Sequence, residues 1–196
     1  MKHLVGFHLV GFLLQYLNVK PAYSETILSE RNCLAKHASG KKSLVEVGVF
    51  QGVTTCALRK AMDPKGTLYG IDPFYRNRLG ICYHQIIAER DINLLNNGNI
   101  KYLKMTSKEA LLSKEWGPNP CLDFVFIDGD HSWEGIETDW LGFSPLICKG
   151  GIIALHDSRI RGEGCGSERY TNEVVLKDNR FKVIETEHSL TVLQRL

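Results

Sequence analysis

The sequence has no C-x-x-C pair, no G-x-G-x-x-G turn, no internal repeat and no low-complexity linker. It also lacks a strong charge excess: 24 basic against 22 acidic residues leave a formal net charge of +2. Each absence removes a class. Six cysteines fall at 33, 56, 82, 121, 148 and 165, the closest pair 17 apart, so no zinc-ribbon or dithiol motif exists. Without G-x-G-x-x-G, a nicotinamide or flavin reading is weakened. The balanced charge argues against nucleic acid or an anionic membrane as the main partner. What is present is ordinary for a globular chain: 196 residues, 43% hydrophobic and 23% charged. That length is one domain's worth and supports a core of its own.

The first 23 residues contain no Asp or Glu, and residues 4–17 are mostly apolar, interrupted by His8 and Gln15. This run is too short to span a bilayer. Lys2 is a weak basic start, and Lys20 to Ser24 is a poor cleavage site for a secretory signal. Residues 1–24 are therefore expected to be an apolar helix or appendage packing on the domain or on a partner, with a signal or surface anchor as the alternative. Cys56 and Cys148 sit in apolar periodic segments and read as small core residues. Reduced thiols, and with them a cytoplasmic location, are expected.

From residue 43 onward, short β-branched runs alternate with helix-length segments. Strands are expected at 43–48, 67–72, 100–103, 122–128 and 152–155, and a terminal strand pair at 181–185 and 190–193. Helices are expected at 53–62, 82–96, 107–113, 132–143 and 168–177, and a turn at Lys149–Gly151. Thr106 and Glu109 carry a capping-box pattern. Strand–helix alternation of this kind means an α/β sandwich with a mainly parallel sheet.

Chemistry-bearing residues collect at expected strand ends, where open α/β sheets bind ligands. Glu46-Val-Gly48-Val-Phe-Gln-Gly52 joins the first strand to a helix, and its glycines let backbone approach a nucleotide. Glu46, on an apolar strand, is costly to bury without a partner. Asp72 ends the second strand, 24 residues after Gly48, where an acid commonly takes ribose hydroxyls. Asp128, Asp130 and His131 follow the fourth strand; His156, Asp157 and Ser158 follow the fifth. That cluster suits a hard cation or a general base, with Asp130 or Ser132 also expected to cap a helix. The glycine-rich stretch 162–166 marks a loop beside it.

These motifs carry a resemblance. Glu46-x-Gly48-x-x-x-Gly52 with Tyr69-Gly-Ile-Asp72 resembles motifs one and two of class I S-adenosylmethionine-dependent methyltransferases. Residues 126–135 with Asp139, then 150–157, are similar to a subgroup holding small-molecule and sugar O-methyltransferases and cephalosporin-hydroxylase-like proteins. The likeness covers about residues 25–196. It implies a doubly wound, Rossmann-like, seven-stranded, mostly parallel sheet with an antiparallel last strand. It further implies that Glu46, Gly48, Gly52, Asp72, Ser107 and Asp128 hold S-adenosylmethionine. Met105 stands where the family has a glycine. Asp128 and Asp157 match positions that hold Mg2+ or another divalent cation in metal-dependent members, although Ser158 departs from the second acid or amide there. Asp128, His131 or His156 would serve in catalysis. A small-molecule or sugar acceptor is implied, and the apolar N-terminus leaves a homodimer open. The rivals are a metal-dependent hydroxylase-like or hydrolytic enzyme using the Asp/His cluster, and a non-catalytic binding module.

Overall fold

The computed structural model describes residues 9–117, 120–162 and 164–196. Residues 1–8 of the expected N-terminal helix or appendage, and Glu163 of the glycine-rich loop, lie outside the described residues. The strands are β1 (Ser43–Val47), β2 (Thr67–Ile71), β3 (Asn99–Leu103), β4 (Leu122–Ile127), β5 (Ile147–Leu155), β6 (Phe181–Glu187) and β7 (Leu190–Arg195). The helices are α1 (Leu9–Tyr16), α2 (Leu28–Ala38), α3 (Val53–Ala61), α4 (Tyr83–Asn93), α5 (Ser107–Leu111), α6 (Trp133–Phe143) and α7 (Gly166–Glu173). No helix among the described residues is long and apolar enough to cross a membrane.

The seven strands form one sheet in the order β3-β2-β1-β4-β5-β7-β6. The first five pair in parallel, and β7 runs antiparallel to both its neighbours. Period-two alternation explains the sandwich. Val45, Val47, Val125, Ile127, Ile153 and Leu155 face one layer with Ile136, Trp140 and Tyr170 of α6 and α7. Leu44, Phe124, Phe126, Ile152 and Ala154 face the other, with Leu34 of α2 and Leu58 of α3. The order reverses between β1 and β4, so the helices that follow them, α3 and α6, leave to opposite layers and a crevice opens at the carboxyl ends of the two strands.

Three differences from the sequence expectation have plain causes. The expected turn at Lys149–Gly151 lies inside β5, where the register against β4 slips between Leu122 and Phe124. Gly150 takes φ 80° there, so the glycines mark a kink in a strand rather than its start. The expected helix at 168–177 ends at Glu173 and continues as a 3-10 turn at Val175–Lys177. The third correction concerns the thiols: Cys121 and Cys148 form a disulfide. Leu122 pairs with Ile147, so the two flanking cysteines meet with Cα atoms 4.8 Å apart. A separation of 27 residues hid this neighbourhood. Cys33, Cys56, Cys82 and Cys165 are free.

Candidate active site at the carboxyl edge of the sheet

The β1–α3 turn is held by its glycines and by Asp72. Gly48 takes φ 92°, and a Cβ there would run into the Asp128 carbonyl oxygen. Gly52 takes φ 77°, and a Cβ would stand 2.8 Å from Ile92 Cδ1 of α4. Both positions therefore require glycine, the first because the turns after β1 and β4 touch. Asp72 Oδ2 accepts from the Val49 and Phe50 N–H groups at 3.1 and 2.9 Å, and Oδ1 from Phe74 N–H at 2.7 Å. Three of a carboxylate's roughly four acceptor sites are thus used to shape the turn.

Glu46 lies beneath this turn, fully buried, and neither carboxylate oxygen has a hydrogen-bond partner. Burial pushes its carboxyl well above the usual range; the Thr55 hydroxyl opposes the shift, and the charges of Asp128 and Asp72 add to it. On α5, Thr106 and Glu109 form the expected capping box. Ser107 sits beside Asp139 of α6, not with the Asp/His cluster. Burial raises the Asp139 carboxyl to about 6, against the Ser107 hydroxyl and helped by Asp130.

The second half of the site gathers at the ends of β4 and β5. Asp128, His131, His156 and Asp157 converge, as their strand-end positions predict. His156 is 2% exposed, and its Nδ1 lies 2.8 Å from Asp128 Oδ1 and 3.4 Å from Asp157 Oδ1. The shorter contact is a close ion pair between a buried ring and a half-buried carboxylate. On the other side of the ring, Nε2 meets Glu30 Oε2 at 3.4 Å. Burial opposes charging of His156, but Asp128, Glu30 and Asp157 outweigh it and lift its pKa to about 10. The carboxylates around His156 thus favour its charged form.

His131 differs. It is half-exposed, with Nε2 3.6 Å from Asp128 Oδ1 and Nδ1 3.6 Å from Asp157 Oδ2. Asp157 takes φ 50°, an uncommon backbone for a non-glycine residue, and Arg161 Nε donates to its Oδ1 at 2.6 Å. The Ser158 hydroxyl turns inward to the Leu155 and Ser189 carbonyls and Thr191 Oγ1. Glu168 Oε2 accepts from the Arg161 and Gly162 N–H groups, and Ser167 Oγ donates to the His156 carbonyl, so the glycine-rich loop is tied over the cluster. Ser132 Oγ accepts from Gly135 N–H, which makes it the helix cap; Asp130 Oδ1 accepts from Ser132 N–H.

Sequence reasoning missed Glu30. This residue of α2 is 1% exposed and accepts from Ile27 N–H, Ser189 N–H and Ser189 Oγ at 2.9, 3.0 and 2.6 Å. Burial alone would raise its carboxyl, but His156, Ser189 and Ile27 hold it well below the usual range. Most of its partners are more than 120 residues away in the chain, and α2 precedes the regular alternation. No local pattern announces it.

Sheet order and strand-end loops place the chain among Rossmann-like α/β proteins with a reversed seventh strand. More narrowly, a model of the methyltransferase-domain family matches residues 45–158, and the chain belongs to that family. Protein R132 of Acanthamoeba polyphaga mimivirus is 28% identical over 123 residues, 58% of this chain and 50% of that protein. The chain thus spans about half the length of the curated relative it matches. An O-methyltransferase from Bacillus cereus in complex with S-adenosylhomocysteine is similar at TM-score 0.65 and 16% identity, over 94% of this chain and 89% of that one. The O-methyltransferase TomG of Streptomyces achromogenes, in complex with S-adenosylmethionine, is similar at TM-score 0.69 and 14% identity, over 92% and 85%. At such identities the likeness shows a shared fold.

Proposed function

We propose that the chain transfers a methyl group from S-adenosylmethionine to a hydroxyl oxygen of a small molecule or sugar. One observation carries this reading: the Gly48 turn and Asp128 are in backbone contact, so the glycine turn and the Asp/His cluster line one crevice.

The residues fit the cofactor. Glu46 is an orphaned buried carboxylate below the turn, and a cationic amino group would satisfy it. Gly48 and Gly52 keep the turn open to close approach, and Asp72 has one acceptor position left for a ribose hydroxyl. Ser107 and Asp139 would border the base. When bound, the cofactor supplies an activated methyl on a sulfonium centre. The chain's part is then positioning and removal of a proton. His131 is the imidazole open to an acceptor, and Asp128 and Asp157 orient its ring. His156, already protonated, is a poor base at neutral pH; it fixes Asp128 instead.

A divalent cation at Asp128 and Asp157 is a second reading. In its favour, donor atoms of Asp128, His131 and His156 lie within 4.8 Å of one another. Against it, Arg161 holds Asp157, the buried cation of His156 faces Asp128, and Ser158 points its hydroxyl elsewhere. The histidine route is therefore preferred. Exposed Val10, Leu13 and Leu17 on and after α1 suit a homodimer. Near-neutral net charge favours a small acceptor over nucleic acid. The cytoplasmic expectation rested on reduced thiols, and the Cys121–Cys148 bridge removes that support.

The test is calorimetry with S-adenosylmethionine, then methyl transfer to a panel of hydroxylated acceptors with excess EDTA present. Full turnover in EDTA, lost in His131→Ala, is expected. Loss of turnover on chelation with recovery on Mg2+ selects the cation reading. No binding of the cofactor overturns the function.

A further inference from the structure

A second cluster of side chains lies on α2, away from the crevice. Cys33 and His37 are four residues apart on this helix and so share a face. The neighbouring element is β6, the edge strand of the sheet. Its pairing with β7 slips between Val183 and Glu185, and such a bulge re-aims the side chain that follows it. His37 Nε2 stands 2.7 Å from Glu185 Oε2, and donor atoms of Cys33, His37 and Glu185 all lie within 4.8 Å of one another. Cys33 is buried among Leu34, Ala38 and Leu44, whereas His37 and Glu185 are half-buried. The cluster thus has an apolar floor and an outer side open to solvent.

We propose that Cys33, His37 and Glu185 form a Zn2+ site that fastens α2 to the sheet edge. The donor set decides the ion. A thiolate excludes hard cations such as Mg2+ and Ca2+, while sulfur, imidazole and carboxylate together suit borderline-soft Zn2+. Three protein ligands leave a fourth tetrahedral position for water. Donor atoms around tetrahedral zinc stand roughly 3.4–3.7 Å apart, so the cluster closes with side-chain shifts of about an ångström. Cys33 loses its proton to solvent as the metal–sulfur bond forms. Lys36, whose ammonium also lies 2.7 Å from Glu185 Oε2, is on an exposed side chain and swings away. The position of the cluster gives the site a consequence. Glu30 lies one turn before Cys33 on the same helix, so a metal that pins α2 to β6 also fixes Glu30 against Ser189 and His156.

The experiment uses the full chain stripped of metal, with Co2+ as a spectroscopic probe for Zn2+. Expected are one equivalent of bound Co2+, a thiolate-to-cobalt charge-transfer band, four-coordinate d–d bands, and displacement by equimolar Zn2+. Zn2+ should also raise the thermal midpoint. Cys33→Ser abolishes the charge-transfer band, and His37→Gln weakens binding at least tenfold. Cys165→Ser keeps the band, which separates this cluster from the thiol that lies against the Asp157 carbonyl. A missing band, or one that survives in Cys33→Ser, overturns the proposal. Should Cys33→Ser fail to fold, the outward variants decide: unchanged affinity in both His37→Gln and Glu185→Gln refutes the site and leaves an ordinary ion pair.

Discussion

Asp139 shows how a single buried carboxyl shapes pH behaviour. It is 1% exposed, and its Oδ1 has no hydrogen-bond partner. Burial raises its pKa from 3.8 to about 6. Below 3.8 the group is neutral folded and unfolded, so it carries no penalty. As pH rises through about 6 the folded state must bury a charge, and stability falls. A rise of about two units is worth roughly 3 kcal/mol. The stability gap between Asp139→Asn and wild type should therefore grow by about that amount from pH 4 to pH 7, read from urea unfolding across the range. A gap independent of pH would show that Asp139 does not titrate there. Asp72 belongs to the same scale but affects binding. Removing it frees the Val49, Phe50 and Phe74 N–H groups and any ribose contact. Asp72→Ala should weaken S-adenosylmethionine about tenfold to hundredfold with the circular dichroism spectrum unchanged. Equal affinity in calorimetry would remove Asp72 from the cofactor site.

At the scale of elements, β4 and β5 carry the site between them, and their amino-terminal ends are joined by the Cys121–Cys148 bridge. The bridge closes a 27-residue segment that holds the whole of α6. Replacing both cysteines by serine should cost about 2–4 kcal/mol, because the unfolded chain gains freedom while the strand pairing persists. Thiol titration of the denatured, unreduced wild type should find the four free cysteines 33, 56, 82 and 165. Six reactive thiols would show that the bridge does not form. The turn expected at 149–151 fails on the same pair of strands. Gly150 and Gly151 look like punctuation locally, yet β4 offers a partner on both sides of the kink.

Over the whole molecule, α1 and the chain after it wrap the outer side of α4. Phe12 stacks on Tyr83 at 4.5 Å, Arg90 donates to the carbonyls of Gln15 and Tyr16, and Tyr23 N–H donates to Gln51 at 2.6 Å. The sheet and both its packed faces lie elsewhere. Residues 25–196 should therefore fold without residues 1–24, with altered acceptor use or self-association. Circular dichroism and sedimentation of the truncated chain check this. Failure to fold would make the segment part of the core.

Local signals were enough for a mainly parallel sheet with helices between its strands, and for which residues end those strands; the doubly wound, seven-stranded sheet with a reversed last strand came from the family resemblance. Short, nearly continuous apolar runs separated by helix-length segments point to parallel strands with both faces covered. Residues at the ends of such strands must share one edge, so Gly48, Asp72, Asp128, His131, His156 and Asp157 could be placed from spacing alone. The Thr106–Glu109 box was readable for the same reason, since it is a set of bonds within one turn, and the helix cap was narrowed to Asp130 or Ser132, between which the structure chose Ser132. What spacing cannot give is the partner of a side chain across the sheet. Cys148 reads as an apolar core residue until β4 brings Cys121 beside it. Glu30 reads as an ordinary helix acid until Ser189 and His156 arrive from the far end of the chain. His131 and His156 look alike in sequence; only packing buries one ring among carboxylates that favour its charged form and leaves the other partly open to solvent. Those distinctions are matters of desolvation and charge at close range, and the folded chain alone sets both.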